Sequence, residues 1–522
     1  MKRLILSLAA TSLLTTAYAQ NYICVTGESP IPIDEVEKIT YETDKVFYAN
    51  MLANLLTSDP KLTIFGEALK KTELADTLQL YWKPDYVPSQ TEPYYYKANL
   101  WNEVAVFDKY RRRQFTVFAE TDSVFAAQGI NSLADLQAYA KQVYDEAFPE
   151  DAAISDPTDR RNSLNRFMAY HVLGHGSDYY WLTGEDGNLM SNFYDRDMAD
   201  IAAWYATLMP QGSLKCSYPL GSESGLYLNR RGLKDGPDKY GSQIRGAKIQ
   251  EDLASKAYDH HTHMATNGYY FYIDRVLAYD RQTREEVLGG ERWRVDCTTL
   301  SPDILNVDTK QREAMTIDGV PSTPDISLAS HAFAWDIENF TATLANSPLV
   351  ARRSHCNWWC YDGDEMRING DFDITIKLPP LPAGEWEIRL GGCCVGEYNP
   401  KVKAYINGQQ TTEEIDLALL YYDGMPNEQL PDGYSDTMPK KLGPPTDCGH
   451  FTVNPLTFYR HSDDGRLLRS VLGRVKTDGK TDTFLRIATI PSPTVGNMTE
   501  MLLDFLEFCP VSVCDNKEIP ED

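Results

Sequence analysis

The stretch Ala265-Thr266-Asn267-Gly268-Tyr269-Tyr270-Phe271-Tyr272-Ile273-Asp274-Arg275-Val276-Leu277 sets an Asn-Gly pair before an aromatic, β-branched run that closes on an acid and aliphatics. Asn-Gly tolerates the positive φ angles of a tight hairpin, and the residues behind it have strand composition. The pattern predicts a turn at Asn267-Gly268 followed directly by a strand. Upstream, Phe115-Thr116-Val117-Phe118-Ala119 reads as a second strand. Thr121-Asp122 then reads as a helix start, since either side chain can accept from the orphan amides of a first turn. Apolar residues recur at helical spacing over 65–78 and 133–148, and 165–173 passes from helix to strand through Tyr170-His171-Val172. A polar, tyrosine-rich stretch at 87–96 reads as an insertion. Helices mixed with short strands, without regular βαβ alternation, predict an α+β domain.

From about Trp335 the pattern changes. Phe372, Ile374, Ile376 and Leu378 alternate with Asp371, Asp373, Thr375 and Lys377. Beyond the breaks at Pro379, Pro380, Pro382 and Gly384, Trp386, Ile388 and Leu390 alternate with Glu385, Glu387 and Arg389. Val402, Ala404 and Ile406 repeat the period before a further Asn407-Gly408 turn. Period-two alternation with Gly/Pro punctuation predicts an antiparallel sheet with one buried face, most simply a β-sandwich. Residues 502–508 fit strand or helix equally well by periodicity.

The first residues carry an export signal: basic Lys2 and Arg3, an apolar run over 4–14, and Ala17-Tyr18-Ala19 as a cleavage site. The apolar run is too short to span a bilayer. Cleavage would leave Gln20 first, and the Asn21-Tyr22-Ile23 ahead of Cys24 lacks the small residues of a lipoprotein signal. With 522 residues and 42% hydrophobic content, the chain is long and apolar enough for more than one core. A net charge of −25 argues against nucleic acid and anionic membrane as partners. Seven of the ten cysteines lie in the last third, and no Cys-x-x-Cys spacing suggests zinc.

Three blocks together resemble the fasciclin domain. Phe115-Thr116-Val117-Phe118-Ala119-Glu120-Thr121-Asp122-Ser123-Val124-Phe125 is similar to that family's first motif, with Glu120 where the family usually carries proline. Tyr170-His171-Val172 is similar to its tyrosine–histidine motif, and Asn267-Gly268 through Leu277 to its closing strand. The resemblance covers about 52–279 and implies insertions near Val87, Asp156 and Asp235. The later part, through Asp362-Gly363-Asp364-Glu365-Met366, 372–392 and Leu503-Asp504-Phe505-Leu506-Glu507-Phe508, resembles β-sandwich modules of fasciclin-like surface proteins of Bacteroidetes-type bacteria. Jelly-roll-like modules of this kind often bind glycans, and that step is fold analogy. The expected organisation is a signal peptide at 1–19, an N-terminal segment at 20–51, a fasciclin-like domain with insertions at 52–281, a connecting region at 282–334 and an antiparallel β-sandwich at 335–522.

The resemblance makes Tyr170, His171, Asn267 and Gly268 candidate binding residues, although the Tyr-His pair could equally fix a helix-to-strand junction. Trp358 and Trp359, beside His355, Cys356, Cys360 and the acids Asp362, Asp364 and Glu365, could stack on sugar rings. Neighbouring strand residues point to opposite faces, so at least one of these tryptophans is expected in the core. His260, His261 and His263 are the densest imidazole cluster, but exposed His tracts are usually just solvated. His171 and His175 are four apart, yet Gly174 and Gly176 bracket the second. Neither metal nor cofactor is expected. There is no G-x-S-x-G elbow, H-E-x-x-H pair or phosphate-cradling loop. The expected function is a non-catalytic interaction or adhesion protein of the Gram-negative envelope: cell-surface, secreted or periplasmic, and compatible with outer-membrane association. It would engage a protein, extracellular-matrix or glycan ligand. The alternative is a glycan-binding accessory protein of a polysaccharide-uptake system.

Overall fold

The computed structural model describes residues 49–83, 112–179, 182, 200–219, 225–232, 244–250, 264–306, 337–353, 364–393, 399–417, 467–491 and 500–514. It also describes short stretches at 22–23, 31–32, 95–97, 104–106, 316–317, 320–321, 330–333 and 450–452. The fold is mixed α/β with strands predominant.

The first half opens with α1 (Leu52–Ser58) and α2 (Thr63–Lys71). A left-handed Glu73 (φ 55°) separates α2 from the short helix Leu74–Thr77, so the helical spacing read over 65–78 is two helices. After β1 (Phe115–Glu120) come α3 (Asp122–Ala127) and α4 (Leu133–Ala147). Leu136, Ala140, Tyr144 and Ala147 form the inward stripe of α4, and the Ser132 hydroxyl accepts from the Asp135 amide as its N-cap. α3 starts at Asp122 as expected, but without the expected cap. Thr121 makes no capping bond, and the Asp122 carboxylate instead accepts from the amides of Thr63 (3.2 Å) and Ile64 (3.0 Å), capping α2. Then follow α5 (Ser163–Tyr170), β2 (Val172–Leu173), β3 (Asp200–Ala206), β4 (Ser213–Pro219), β5 (Tyr227–Leu228), β6 (Ala247–Gln250) and β7 (Gly268–Ile273).

These strands form one sheet in the order β2-β1-β7-β6-β5-β4-β3. β1 and β7 run parallel, in register from Phe115–Gly268 to Glu120–Ile273, and β2 lies antiparallel on the other side of β1. All six residues of β1 are buried, as a parallel strand covered on both faces requires. The Asn-Gly turn is displaced by one residue. Ala265 pairs with Gly268, so Thr266 and Asn267 make the turn and Gly268 is the first strand residue, with φ 138°.

The second half begins earlier than the composition shift. β8 (Trp293–Asp296), inside the expected connecting region, pairs along its length with Phe505–Pro510. It is followed by β9 (Phe340–Ala345), β10 (Leu349–Arg353), β11 (Asp364–Asn369), β12 (Phe372–Lys377), β13 (Gly384–Cys393), β14 (Lys401–Ile406), β15 (Gln409–Asp416), β16 (Leu467–Thr477), β17 (Phe484–Ile490), β18 (Glu500–Leu503) and β19 (Phe505–Pro510). β18, β11 and β10 join Ser330–Phe333, Val104–Val106 and Tyr95–Lys97 in a six-stranded sheet, and the other strands form two antiparallel five-stranded sheets. One has the order β8-β19-β13-β16 with His450–Thr452 at the end, and the other β9-β12-β17-β14-β15. They touch where Thr411 of β15 donates to the Leu472 carbonyl of β16 at 2.6 Å. The ambiguous segment 502–508 is strand, divided at Asp504 between β18 and β19, which join different sheets. In the expected insertion 87–96, only Tyr95 and Tyr96 lie among the described residues. They begin the strand Tyr95–Lys97, which pairs with Val104–Val106.

The two halves share one interior. Trp204 of β3 stacks on Trp293 of β8 (centroids 6.3 Å, interplanar angle 11°), and Trp293 meets Trp386 and Phe508 edge-on. The Ser213 hydroxyl donates to the Pro380 carbonyl at 2.6 Å. Among the described residues, no helix is long and apolar enough to cross a membrane.

Candidate functional site

The helix-to-strand junction at Tyr170-His171 is built by α5. Asn162 caps its start by accepting from the Leu164 amide at 3.0 Å, and His171 is its C-cap. The ring of His171 turns back into the helix end. Its Nδ1 donates to the Phe167 carbonyl (2.7 Å), which as a pure acceptor fixes a proton on that nitrogen. On the other side Nε2 and Glu120 Oε1 lie 2.8 Å apart and hold one further proton between them. Glu120 Oε1 also accepts from the Leu277 amide at 2.8 Å. Both side chains are fully buried, and the imidazole packs against Phe65 and Phe167. One carboxylate thus ties β1 to α5 and to the chain leaving β7. Its second oxygen, Oε2, is buried without a hydrogen bond among the described residues.

Asn267 performs a similar task at the other end of β7. Its Oδ1 accepts from the Leu52 amide (3.0 Å), and its Nδ2 donates to the carbonyls of Leu78 (2.8 Å) and Leu80 (2.9 Å). Gly268 lets the backbone pass β1, since a Cβ there would sit 1.9 Å from the Phe115 carbonyl oxygen. The Tyr170 hydroxyl donates to the Ser213 carbonyl (3.0 Å) and accepts from Asn229 Nδ2 (2.9 Å). Tyr170, His171 and Asn267 are each 0% exposed. All four candidates of the first half therefore lie in the interior around β1 and β7, where their polar atoms bond to this chain. Trp358, Trp359, His260, His261 and His263 lie outside the described residues. Among the described residues, no group of three His, Cys, Asp or Glu could hold a metal.

Removing the Glu120 carboxylate should be costly. Glu120→Ala leaves His171 Nε2 and the Leu277 amide unmatched in a dry core, and about 2–4 kcal/mol should be lost in urea-induced unfolding.

Buried phenols surround the same helices. Burial pushes Tyr139 and Tyr279 up to about 12 and, despite an opposing hydrogen bond in each case, Tyr144 and Tyr170 well above the ordinary tyrosine range. The folded state therefore holds these protons more tightly than the unfolded chain. Stability should be intact below about pH 10, where unfolded tyrosine titrates, and fall as pH rises toward 12, by up to about 1.4 kcal/mol per pH unit per tyrosine. Thermal melts across that window, followed by tyrosine absorbance, check it.

A second polar cluster was not readable as such. On β13 the polar positions were expected to face water, but Glu387 and Arg389 are buried. Glu507 of β19 accepts from Arg294 Nη2 (3.0 Å) and Arg389 Nη1 (2.8 Å), with Arg292 Nε 3.6 Å away. Arg389 Nε donates to Glu387 Oε1 (2.8 Å), and Glu387 Oε2 accepts from Arg474 Nε (2.9 Å). Register sets these partners opposite one another: Arg294 to Glu507 to Arg389, and Glu387 to Arg474. The ladder crosses β8, β19, β13 and β16 on the face opposite Trp293, Trp386 and Phe508. Its one sequence signal is unlike charges at alternate positions of neighbouring strands, which requires the pairing to be known.

No protein-family model matches the chain, and no curated protein matches its sequence. Among solved structures it is similar to insecticidal crystal protein Cry2Aa at 10% identity, over 75% of this chain and 69% of that one, with a TM-score of 0.19. It is similar to a calcium-binding mutant of Bacteroides uniformis β-glucuronidase 2 at 10% identity, over 60% of this chain and 26% of that one, with a TM-score of 0.18. A chain of the complex of plant peptide RALF23 with FER and LLG2 matches at 12% identity, over 30% of this chain and 38% of that one, with a TM-score of 0.17. The chain thus spans well under half the length of the last two. Similarities of this size carry no argument about fold or activity.

Proposed function

We propose that this is an exported, non-catalytic envelope protein that mediates interaction or adhesion through a fasciclin-like first domain with insertions, followed by a jelly-roll-like β-sandwich. The observation that supports this reading is the adjacency of β2, β1 and β7. The three blocks of the family resemblance are distant in sequence, yet they meet as neighbouring strands joined by Glu120 and His171. Such a frame is rigid, and recognition would fall to the segments it carries, the 87–96 insertion first among them. The ligand is a protein or matrix component, and the acidic chain is unsuited to nucleic acid. Immobilised full-length protein should retain envelope or matrix material, and deletion of 87–96 should abolish retention without lowering the melting temperature. Retention unaffected by that deletion would refute the assignment to the insertion. Hydrolysis of a glycan or ester, lost on one carboxylate substitution, would refute the non-catalytic reading.

A second reading, a glycan-binding accessory protein, is favoured by the outer face of the sheet containing β12, β17 and β14. There Arg486 lies over the Tyr405 ring (4.5 Å to the centroid) and is held by both oxygens of Asp373 at 2.7 Å. Half-exposed aromatic and polar groups in one row suit a sugar ring. Glycan-array signal lost in Tyr405→Ala or in Trp358→Ala would move the assignment to this reading.

A further inference from the structure

Three Asn-Gly steps occur in the sequence, at Asn267, Asn369 and Asn407, and the fold treats them differently. At Asn267 both amide atoms are engaged, the side chain is 0% exposed, and a Cβ on Gly268 would strike the Phe115 backbone at 1.9 Å. At Asn369 the Ser347 hydroxyl clamps the backbone, accepting from its amide (3.0 Å) and donating to its carbonyl (2.9 Å), and a Cβ on Gly370 would lie 3.1 Å from Asn346. Asn407 is exposed at the tip of the two-residue turn between β14 and β15 (φ 49°, followed by Gly408 at 79°), with open space around Gly408. Its Oδ1 accepts from the Phe484 amide at 2.9 Å. That donor points at the oxygen on which charge develops when Cγ is attacked, as an oxyanion-hole donor does.

We propose that Asn407 is a self-modification site of the folded protein, where the side-chain amide converts to aspartate and isoaspartate through a cyclic imide. The Gly408 nitrogen, losing its proton to solvent base, forms a bond to Asn407 Cγ, and Nδ2 leaves as ammonia after taking a proton from water. Water then opens the imide. Cleavage of the Cγ–N bond gives aspartate, and cleavage of the bond from the main-chain carbonyl carbon to nitrogen gives isoaspartate. The net change is one water consumed and one ammonia released, with no oxidant or cofactor. The product carries an additional negative charge. Its isoaspartyl form adds a main-chain atom to the two-residue turn, which changes the turn length that sets the register of β15 on β14.

The test is incubation of the full-length protein at mildly alkaline pH, with peptide mapping by mass spectrometry over time. The peptide containing Asn407 should gain about one dalton at least ~10-fold sooner than those containing Asn267 or Asn369, because the latter sites must first open locally. In urea the three rates should converge, and Gly408→Ala should slow conversion at Asn407 in the folded protein. Conversion of Asn267 or Asn369 as fast as Asn407 in the folded state would overturn the proposal. So would an unchanged Asn407 under conditions where the urea-unfolded chain reacts.

Discussion

Gly268→Ala should fail to fold, or fold with a loss of more than about 4 kcal/mol, beyond the ordinary range of single substitutions. The added Cβ would lie 1.9 Å from the Phe115 carbonyl oxygen and 2.7 Å from its nitrogen. Both are backbone atoms of β1, so no rotamer can relieve the contact. Moving β1 away would break the parallel register from Phe115 to Glu120 and with it the Glu120–His171 bond. The positive φ of 138° adds backbone strain. Gly408→Ala is the control, since it has positive φ without a clash and should cost only about 1 kcal/mol. Urea unfolding of the two variants, read by circular dichroism, separates collision from strain. Equal, small losses would show that β1 and β7 are not pressed together as described.

Glu507→Ala should lower stability by about 3–5 kcal/mol, because it removes the carboxylate that buried guanidinium groups face and does not merely delete a bond. Glu507 is 0% exposed and faces Arg294 and Arg389 on its two neighbouring strands. Without it, Arg389 loses its bond to β19 and still shares Glu387 with Arg474. The sign reverses when the charges leave together. Changing Glu507, Arg294 and Arg389 jointly to apolar residues of similar volume should recover much of the loss, as buried ion pairs often contribute little beyond an apolar replacement. Thermal denaturation of the single and triple variants checks both halves of the prediction. A triple variant no better than Glu507→Ala would mean that the ladder contributes strongly favourable energy.

The elements that sequence placed well are those whose cause is local. Alternation at 372–378 and 402–406 gave strands, and the spacing of Leu136, Ala140 and Tyr144 gave a helix, because period alone decides which face meets the core. The errors arise where a distant partner decides. Asp122 caps a helix 58 residues away in sequence, measured to Ile64, and nothing next to it announces that. Glu387 and Arg389 sit at positions that period two assigns to solvent, but β8, β19 and β16 bring counter-charges that let them be buried. β8 itself is too short to stand out from the segment around it and exists by pairing with β19. Asn267-Gly268 reads in sequence as a turn, whereas the glycine answers to the passage of β7 along β1. Nothing beside Glu120 announces its buried pair with His171, because the partner stands 51 residues away in sequence and only the fold brings it near.

The stacked tryptophans bear on how this protein can be handled in the laboratory. A recombinant fragment beginning at Trp335 would lose β8, leaving one edge of β19 without its neighbour and Trp386 without the ring it meets. A fragment ending at 281 would leave the face of Trp204 uncovered. Expression of either piece alone should give sticky, poorly soluble material, and even a cut upstream of Trp293, which keeps β8 beside β19, parts Trp293 from Trp204. The practical dividend is that the two halves are best produced as one chain.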